Sequence, residues 1–244
     1  MPSPRDPRDP RNEPDSPEVS ARIQVALTLV PRIVRDAKKS LVGHARSDDL
    51  TSFGNEGALI AARTYDADLG VPFDRWARLK IRGAIFDRLR VEADLPRRLY
   101  RRLRALEAVH SAEEGMMLDD PGSPPPESAG AADARIRDRL AAMATAYAAG
   151  TLMARDTETL GALQDPQGTP EDELAREQMK AAIRAAVAER PEAERTLLER
   201  YYFEERTMAE ASGGLSRSWS SRLHARAIAG VARSLMKAKV SGLA

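Results

Sequence analysis

Two sets of residues in this 244-residue chain have types and spacings that bear on chemistry. The first is what a hydrolase or metalloenzyme would need. The three histidines, His44, His110 and His224, lie far apart without metal-ligand spacing, and the chain has no cysteine. It also lacks a phosphate-binding G-x-x-x-x-G-K-[ST] loop and a G-x-S-x-G elbow. Ser216, Ser218, Ser220 and Ser221 have no neighbouring base except His224, so nucleophilic chemistry has little to work with. These patterns imply no catalytic residue, no metal and no cofactor. The second set suits a polyanion. The stretch LSRSWSSRLHARAI, residues 215–228, interleaves serine and arginine; arginine can pair bidentately with guanine, and serine can bond to several bases.

Charge along the chain points the same way. The net charge is +1, from 38 Lys/Arg against 37 Asp/Glu, but the signs are segregated. Residues 72–104 hold eleven bases and four acids, residues 215–244 six bases and no acid, and residues 107–180 fifteen acids and six bases. A single charge run is ordinarily a solvated helix face. Two cationic blocks on separate helical units favour a polyanion gripped at two places.

The elements that must position these residues are helical. Ala, Leu, Arg and Glu dominate and aromatics make up 5%, so the fold expected is all-α, with two or three small helical domains joined by flexible linkers and a C-terminal helix-turn-helix. Residues 1–19 are rich in Pro, Asp and Arg with nothing to bury, which reads as a disordered tail, neither a secretory signal nor an anchor. No segment approaches the run of about 20 apolar residues that spans a bilayer. With no cysteine to protect, a cytoplasmic protein with no membrane partner is expected.

From Ser20, Ile23, Leu27, Val30 and Val34 form an apolar stripe, with Pro31 as a candidate kink. A second helix opens on a Ser/Asp signal and carries Leu50, Phe53, Gly57 and Ile60 down one face; Gly54 and Gly57 imply close approach of a neighbouring backbone. On a third, Trp76, Leu79, Gly83 and Phe86 share a face, with Arg78 and Arg82 beside them. This three-helix unit ends near Asp94. A basic helix follows Pro96, then the linker LDDPGSPPPESAGAAD, a helix over ARIRDRLAAMATAYAAGTLMA, the loop GALQDPQGTPEDE, and a last helical unit from about Thr169. Near its end Thr207 and Glu210 match a capping box, Gly213 and Gly214 supply a tight turn, and Ser216 can cap a helix reaching about Lys237. Leu223, Ala227, Val231 and Leu235 form that helix's apolar stripe. Arg217, Ser218, Ser221 and Arg222 fall outside the stripe on the first two turns, where a recognition helix meets base edges. An ordinary helical hairpin with a serine-rich surface fits this segment as well.

Three stretches, in order, resemble the bacterial sigma-70 family of RNA polymerase initiation factors, and are most similar to its shorter alternative members of the flagellar and sporulation type. DDLTSFGNEGAL resembles the polymerase-binding helix, GVPFDRWARLKIRGAIFDRLR the segment that opens and reads the minus-10 element, and LLERYYFEERTMAE with LSRSWSSRLHARAI the helix-turn-helix that reads the minus-35 element. The resemblance covers about residues 20–100 and 170–240. It implies a tail over 1–19, a region 2-like domain over 20–94, reduced or diverged region 3-like helices and linker over 95–165, and a region 4-like domain over 166–244.

Matched position by position, the resemblance implies core polymerase docking by Asp49, Ser52, Asn55 and Leu59. It assigns minus-10 recognition and strand opening to Phe73, Trp76, Arg78, Lys80, Arg82, Asp87, Arg88 and Arg90, with Arg97 and Arg98 touching DNA just upstream. Aromatic faces can hold an unstacked base, although Phe73 and Trp76 also fit a plain core role. Minus-35 recognition falls to Arg217, Ser218, Ser221, Arg222 and Arg226. The partners implied are core RNA polymerase, promoter DNA and an anti-sigma factor; the chemistry belongs to the polymerase. The chain departs from the family pattern at Ser52, where glutamine is common, and at Glu56, where an apolar residue is. EASGGLS is also shorter than the usual first helix and turn, so the glycines are expected to let a shortened turn close. Two other readings stay open: a stand-alone helix-turn-helix regulator and a helical protein-interaction module that binds no DNA. Co-purification with core polymerase separates the first reading from both.

Overall fold

The computed structural model describes residues 15–41, 46–92, 97–119, 126–153 and 169–241, and every regular element among them is helical. They fall into two compact units, one formed by Met1–Asp68 and Pro72–Ala93, the other by Leu69–Val71 and Asp94–Ala244. Residues 1–14 of the expected tail lie outside the described residues. The tail's last residues do not fit that expectation. Asp15 forms a two-pronged ion pair with Arg63 at 2.9 and 3.0 Å, Ser16 Oγ accepts from the Val19 amide at 3.3 Å, and a helix already begins at Pro17. Proline suits a first helical turn because its missing N–H would have had no intrahelical partner there.

The first unit packs α1 (Pro17–Leu41), α2 (Ser47–Arg63) and α3 (Phe73–Glu92) pairwise against one another. From α1 the core takes Ala26, Val30, Ile33, Val34 and Ala37, a stripe turned slightly from the expected one, so that Ile23 and Leu27 are only partly covered. Pro31 is exposed on α1. The α3 face holds as spaced, with Trp76, Leu79, Gly83 and Phe86 all buried. On α2 the expectation fails at Ile60, which is 43% exposed. Its place in the core is taken by Ala58, Ala61 and Ala62, all fully buried. Gly57 lets α3 come close: a Cβ there would lie 2.8 Å from the Ile81 Cα and the Ala84 Cβ.

In the second unit α4 (Arg97–Asp119) packs against α5 (Ala129–Leu152) and against α9 (Arg217–Ser241), while α5 also touches α9. Around α9 gather α6 (Pro170–Ala188), α7 (Glu192–Leu198) with its π-helical continuation Glu199–Phe203, and the one-turn α8 (Met208–Ala211). One core joins them, including Ala108 and Ala112 from α4, Ala142, Ala146 and Ala149 from α5, Ile183 from α6, Leu198 from α7 and Ile228 from α9. Fully burying Leu198 and Ile228 contributes about 1.5–3 kcal/mol each. The alanines add less area but allow tight helix spacing. Gly150 carries this furthest on α5, since a Cβ there would meet the Ala105 Cα at 2.6 Å.

Candidate nucleic-acid interface

The capping and turn chemistry of the C-terminal motif is local, and it forms as the spacing requires. Thr207 and Glu210 make a reciprocal capping box, with Glu210 Oε2 accepting from the Thr207 amide at 2.8 Å and Thr207 Oγ1 from the Glu210 amide at 3.3 Å. Helix α8 closes after four residues, and the chain turns through Gly213 and Gly214 at φ of 65° and 89°. Those dihedrals strain any residue with a Cβ, so both glycines are needed for the short turn. Ser216 then caps α9, its Oγ accepting from the Trp219 amide at 3.3 Å.

Residues 217–226 divide between opposite sides of α9. Ser221 is 2% exposed, and its hydroxyl donates to Glu114 Oε2 of α4 at 2.9 Å. Arg217 lies on the same side, exposed but 3.9 Å from the same carboxylate oxygen. The spacing that set Ser221 outside the apolar stripe therefore misplaces it, because α4 covers a flank the stripe alone does not reveal. Ser218, Trp219 and Arg226 are exposed on the other side, with the half-buried Arg222 beside them. Arg222 Nε stands 3.7 Å from Asp119 Oδ1 and makes no hydrogen bond. An ion pair of that length at a half-exposed position is worth little, so Arg222 can exchange Asp119 for another anion at small cost.

A buried polar network holds α9 from behind. Tyr202 Oη and His224 Nε2 share a hydrogen bond at 2.9 Å, and the His224 ring packs edge-on to Tyr201 at 5.4 Å. Burial pushes the His224 imidazole down to about 3, with the Arg104 charge adding to the shift, and burial drives the Tyr202 phenol well above its usual range. Arg104 of α4 is 6% exposed; it donates to the carbonyls of Tyr201 at 2.8 Å and Arg206 at 3.3 Å, pairs with Glu107 at 3.2 Å, and lies 4.6 Å from the Tyr201 ring centroid. Burial opposes its charge, but Tyr201 and Glu107 favour it and leave its basicity raised. Sequence reasoning missed Arg104, Glu114 and Asp119. Arg104 is hidden in the run RRLYRRLR, and its one local signal is its place between the apolar Leu103 and Ala105.

In the first unit α2 presents Asp49, Ser52, Asn55 and Leu59 on its exposed side, opposite buried Leu50, Gly54, Gly57, Ala58 and Ala61. Glu56 on that helix pairs with Arg88 of α3 at 2.9 Å. Trp76 is 5% exposed and its indole N–H donates to the Ala61 carbonyl at 3.1 Å, which makes it a core residue in this conformation. Lys80 lies 4.3 Å above the Trp76 ring. Phe73 is half-buried and packs edge-on to Tyr65 at 5.1 Å. Arg78 pairs loosely with Asp74 at 3.8 Å, and Arg82 and Asp87 are half-buried. The side chains of Arg90, Arg97 and Arg98 lie outside the described residues. Among the described residues no group of three or more His, Cys, Asp or Glu comes together as a metal site, and no helix is long and apolar enough to cross a membrane.

Comparison with known proteins supplies an independent line. Residues 26–94, which include α2 and α3, match the sigma-70 region 2 family. The chain is 30% identical over 221 residues to the RNA polymerase sigma factor FliA of Pseudomonas aeruginosa, covering 85% of this chain and 86% of that one. It is 28% identical over 192 residues to the RNA polymerase sigma-D factor of Bacillus subtilis, covering 74% and 75%. Among solved structures, the flagellar sigma/anti-sigma complex Sigma-28/FlgM aligns over 91% of this chain at 22% identity with a TM-score of 0.30.

Proposed function

The chain belongs to the sigma-70 family of bacterial RNA polymerase sigma factors, as an alternative sigma factor of the flagellar type that directs transcription initiation, and on that premise we propose how its helices divide the work. The outer side of α2 docks on core polymerase through Asp49, Ser52, Asn55 and Leu59. The cations of α3 and the start of α4 follow the minus-10 DNA, and α9 reads the minus-35 element through Ser218, Arg222 and Arg226. The region 2-like unit begins with α1 at Pro17 rather than at residue 20, and α4 and α5, which share a core with α9, brace the C-terminal motif. Core RNA polymerase, promoter DNA and an anti-sigma factor are the partners, and the site of action is the cytoplasm.

One observation carries the docking assignment. A helix whose inner side is closed by Leu50, Gly54, Gly57, Ala58 and Ala61 leaves a mixed acidic, amide and apolar surface in water, with Leu59 37% and Ile60 43% exposed. Exposed apolar residues bordered by polar ones are what a protein interface uses. Asp49→Ala with Asn55→Ala is expected to lower the yield of core polymerase recovered with the tagged chain about tenfold or more, at unchanged helicity. Recovery equal to wild type would remove both residues from the interface. Failure of the wild-type chain to recover polymerase would favour a stand-alone DNA-binding regulator instead.

A further inference from the structure

Helix α9 has one large apolar side chain in water where it begins. Trp219 is 48% exposed, and Leu215, just before the helix, is 43% exposed. The chain's other tryptophan, Trp76, is buried with its N–H bonded, so the exposure is particular to this site. The first turn holds Trp219 in place, since its own amide donates to the Ser216 cap at 3.3 Å. The Arg226 guanidinium lies 5.9 Å from the indole centroid, at a spacing of seven residues, two helical turns on. Ser218 and Arg222 border the same side. Ser221 and Arg217, by contrast, are turned toward Glu114 of α4.

We infer that Trp219 is a base-reading residue of this sigma factor: its indole lies against thymine C5-methyl groups in the major groove of the DNA element that α9 contacts. The inference rests on the reading of α9 as a promoter-binding helix. Thymine follows from the chemistry of the groove. The C5-methyl is the apolar group on the major-groove edges, whereas the other groups there are donors and acceptors. An indole face has neither function to offer, and its N–H only donates. A polyanion rather than a protein follows from the surroundings. Residues 215–244 contain six Lys/Arg and no acid, and Arg222 and Arg226 flank the ring with charges that suit phosphate or guanine. Arg226 also restrains the indole before DNA arrives, which lowers the entropic cost of binding. The specific contact expected of Ser221 thus passes to its neighbour two residues earlier.

The test uses the full chain with core polymerase on a promoter whose upstream protected element has been mapped with the wild-type protein. Replacing thymines in that element by deoxyuridine removes only the methyl group. With wild type, each contacted methyl removed should lower promoter affinity about fourfold, the ratio set by burial of one such carbon. Trp219→Ala should lower affinity on the thymine template by a similar factor and show no response to deoxyuridine, while Trp219→Phe should retain part of the response. Equal sensitivity to deoxyuridine in wild type and Trp219→Ala, or none in either, overturns the inference. So does a Trp219→Ala variant that binds DNA normally but loses polymerase, which would make the indole a protein contact. If the upstream protection itself survives Arg222→Ala with Arg226→Ala, the reading of α9 as the promoter helix fails, and that result is distinct from insensitivity at Trp219 alone.

Discussion

At the scale of single residues, His224 shows how a polar group can serve the site without touching a ligand. Its imidazole is fully buried on the inner side of α9, bonded to Tyr202, and held neutral down to about pH 3. In the unfolded chain it protonates near 6.5. The unfolded state therefore binds the extra proton first as pH falls, so the contribution of His224 is complete above about 6.5 and is lost progressively toward 3. The slope approaches about 1.4 kcal/mol per pH unit within that window. Urea unfolding of wild type and His224→Gln at pH 7 and pH 5 is the check. The wild type should lose more stability than the variant, by up to about 2 kcal/mol, and parallel profiles would assign the titration to other groups. Thr207, Ser216, Gly213 and Gly214 were legible in the sequence because each acts within three or four residues of itself. The neutral state of His224 was not, because it depends on Tyr202, 22 positions away, and on Arg104 from another helix.

At the scale of elements, close approach of helices decides which side of α9 is covered. A Cβ at Gly115 would overlap the Ser221 carbonyl and lie 2.5 Å from the Ala225 Cβ, so α4 and α9 meet nearly backbone to backbone. Neither obstacle is the end of a flexible side chain, so the helices themselves would have to part. Gly115→Ala is expected to destabilise the second unit by about 1–3 kcal/mol, seen as a lower unfolding midpoint. Gly130→Ala supplies the contrast, because nothing nearer than 4.0 Å opposes a Cβ there and a helical alanine gains about 0.4–1 kcal/mol over glycine. Equal effects of the two substitutions would mean that α4 and α9 can separate freely. On α2 the expected close backbone approach holds at Gly57, which meets the α3 backbone, whereas Gly54 faces only the side chains of Val30, Val34 and Ile85. Gly115 raised no such expectation, since one glycine in HSAEEG looks like an ordinary helix-weakening residue until α9 is placed beside it.

At the scale of the whole molecule, the near-zero net charge conceals cations on both compact units. If α3 and α9 each meet phosphate, the salt dependence of promoter binding must carry a contribution from both. Arg78→Ala with Arg82→Ala should make the plot of log affinity against log salt shallower by up to about 2, close to one for each phosphate no longer neutralised. A slope unchanged from wild type would place these two arginines away from DNA. The all-helical class, the buried face of α3 and the cap and turn before α9 were determined by the sequence alone, because helical periodicity and caps are properties of neighbouring residues. Burial of Ser221, exposure of Trp219, burial of Trp76 and the role of Arg104 were decided only by the tertiary structure. Each depends on a partner remote in the chain: Glu114 lies 107 positions from Ser221, and Tyr201 lies 97 from Arg104. Periodicity states which residues share a side of a helix, but only packing determines which side another helix covers.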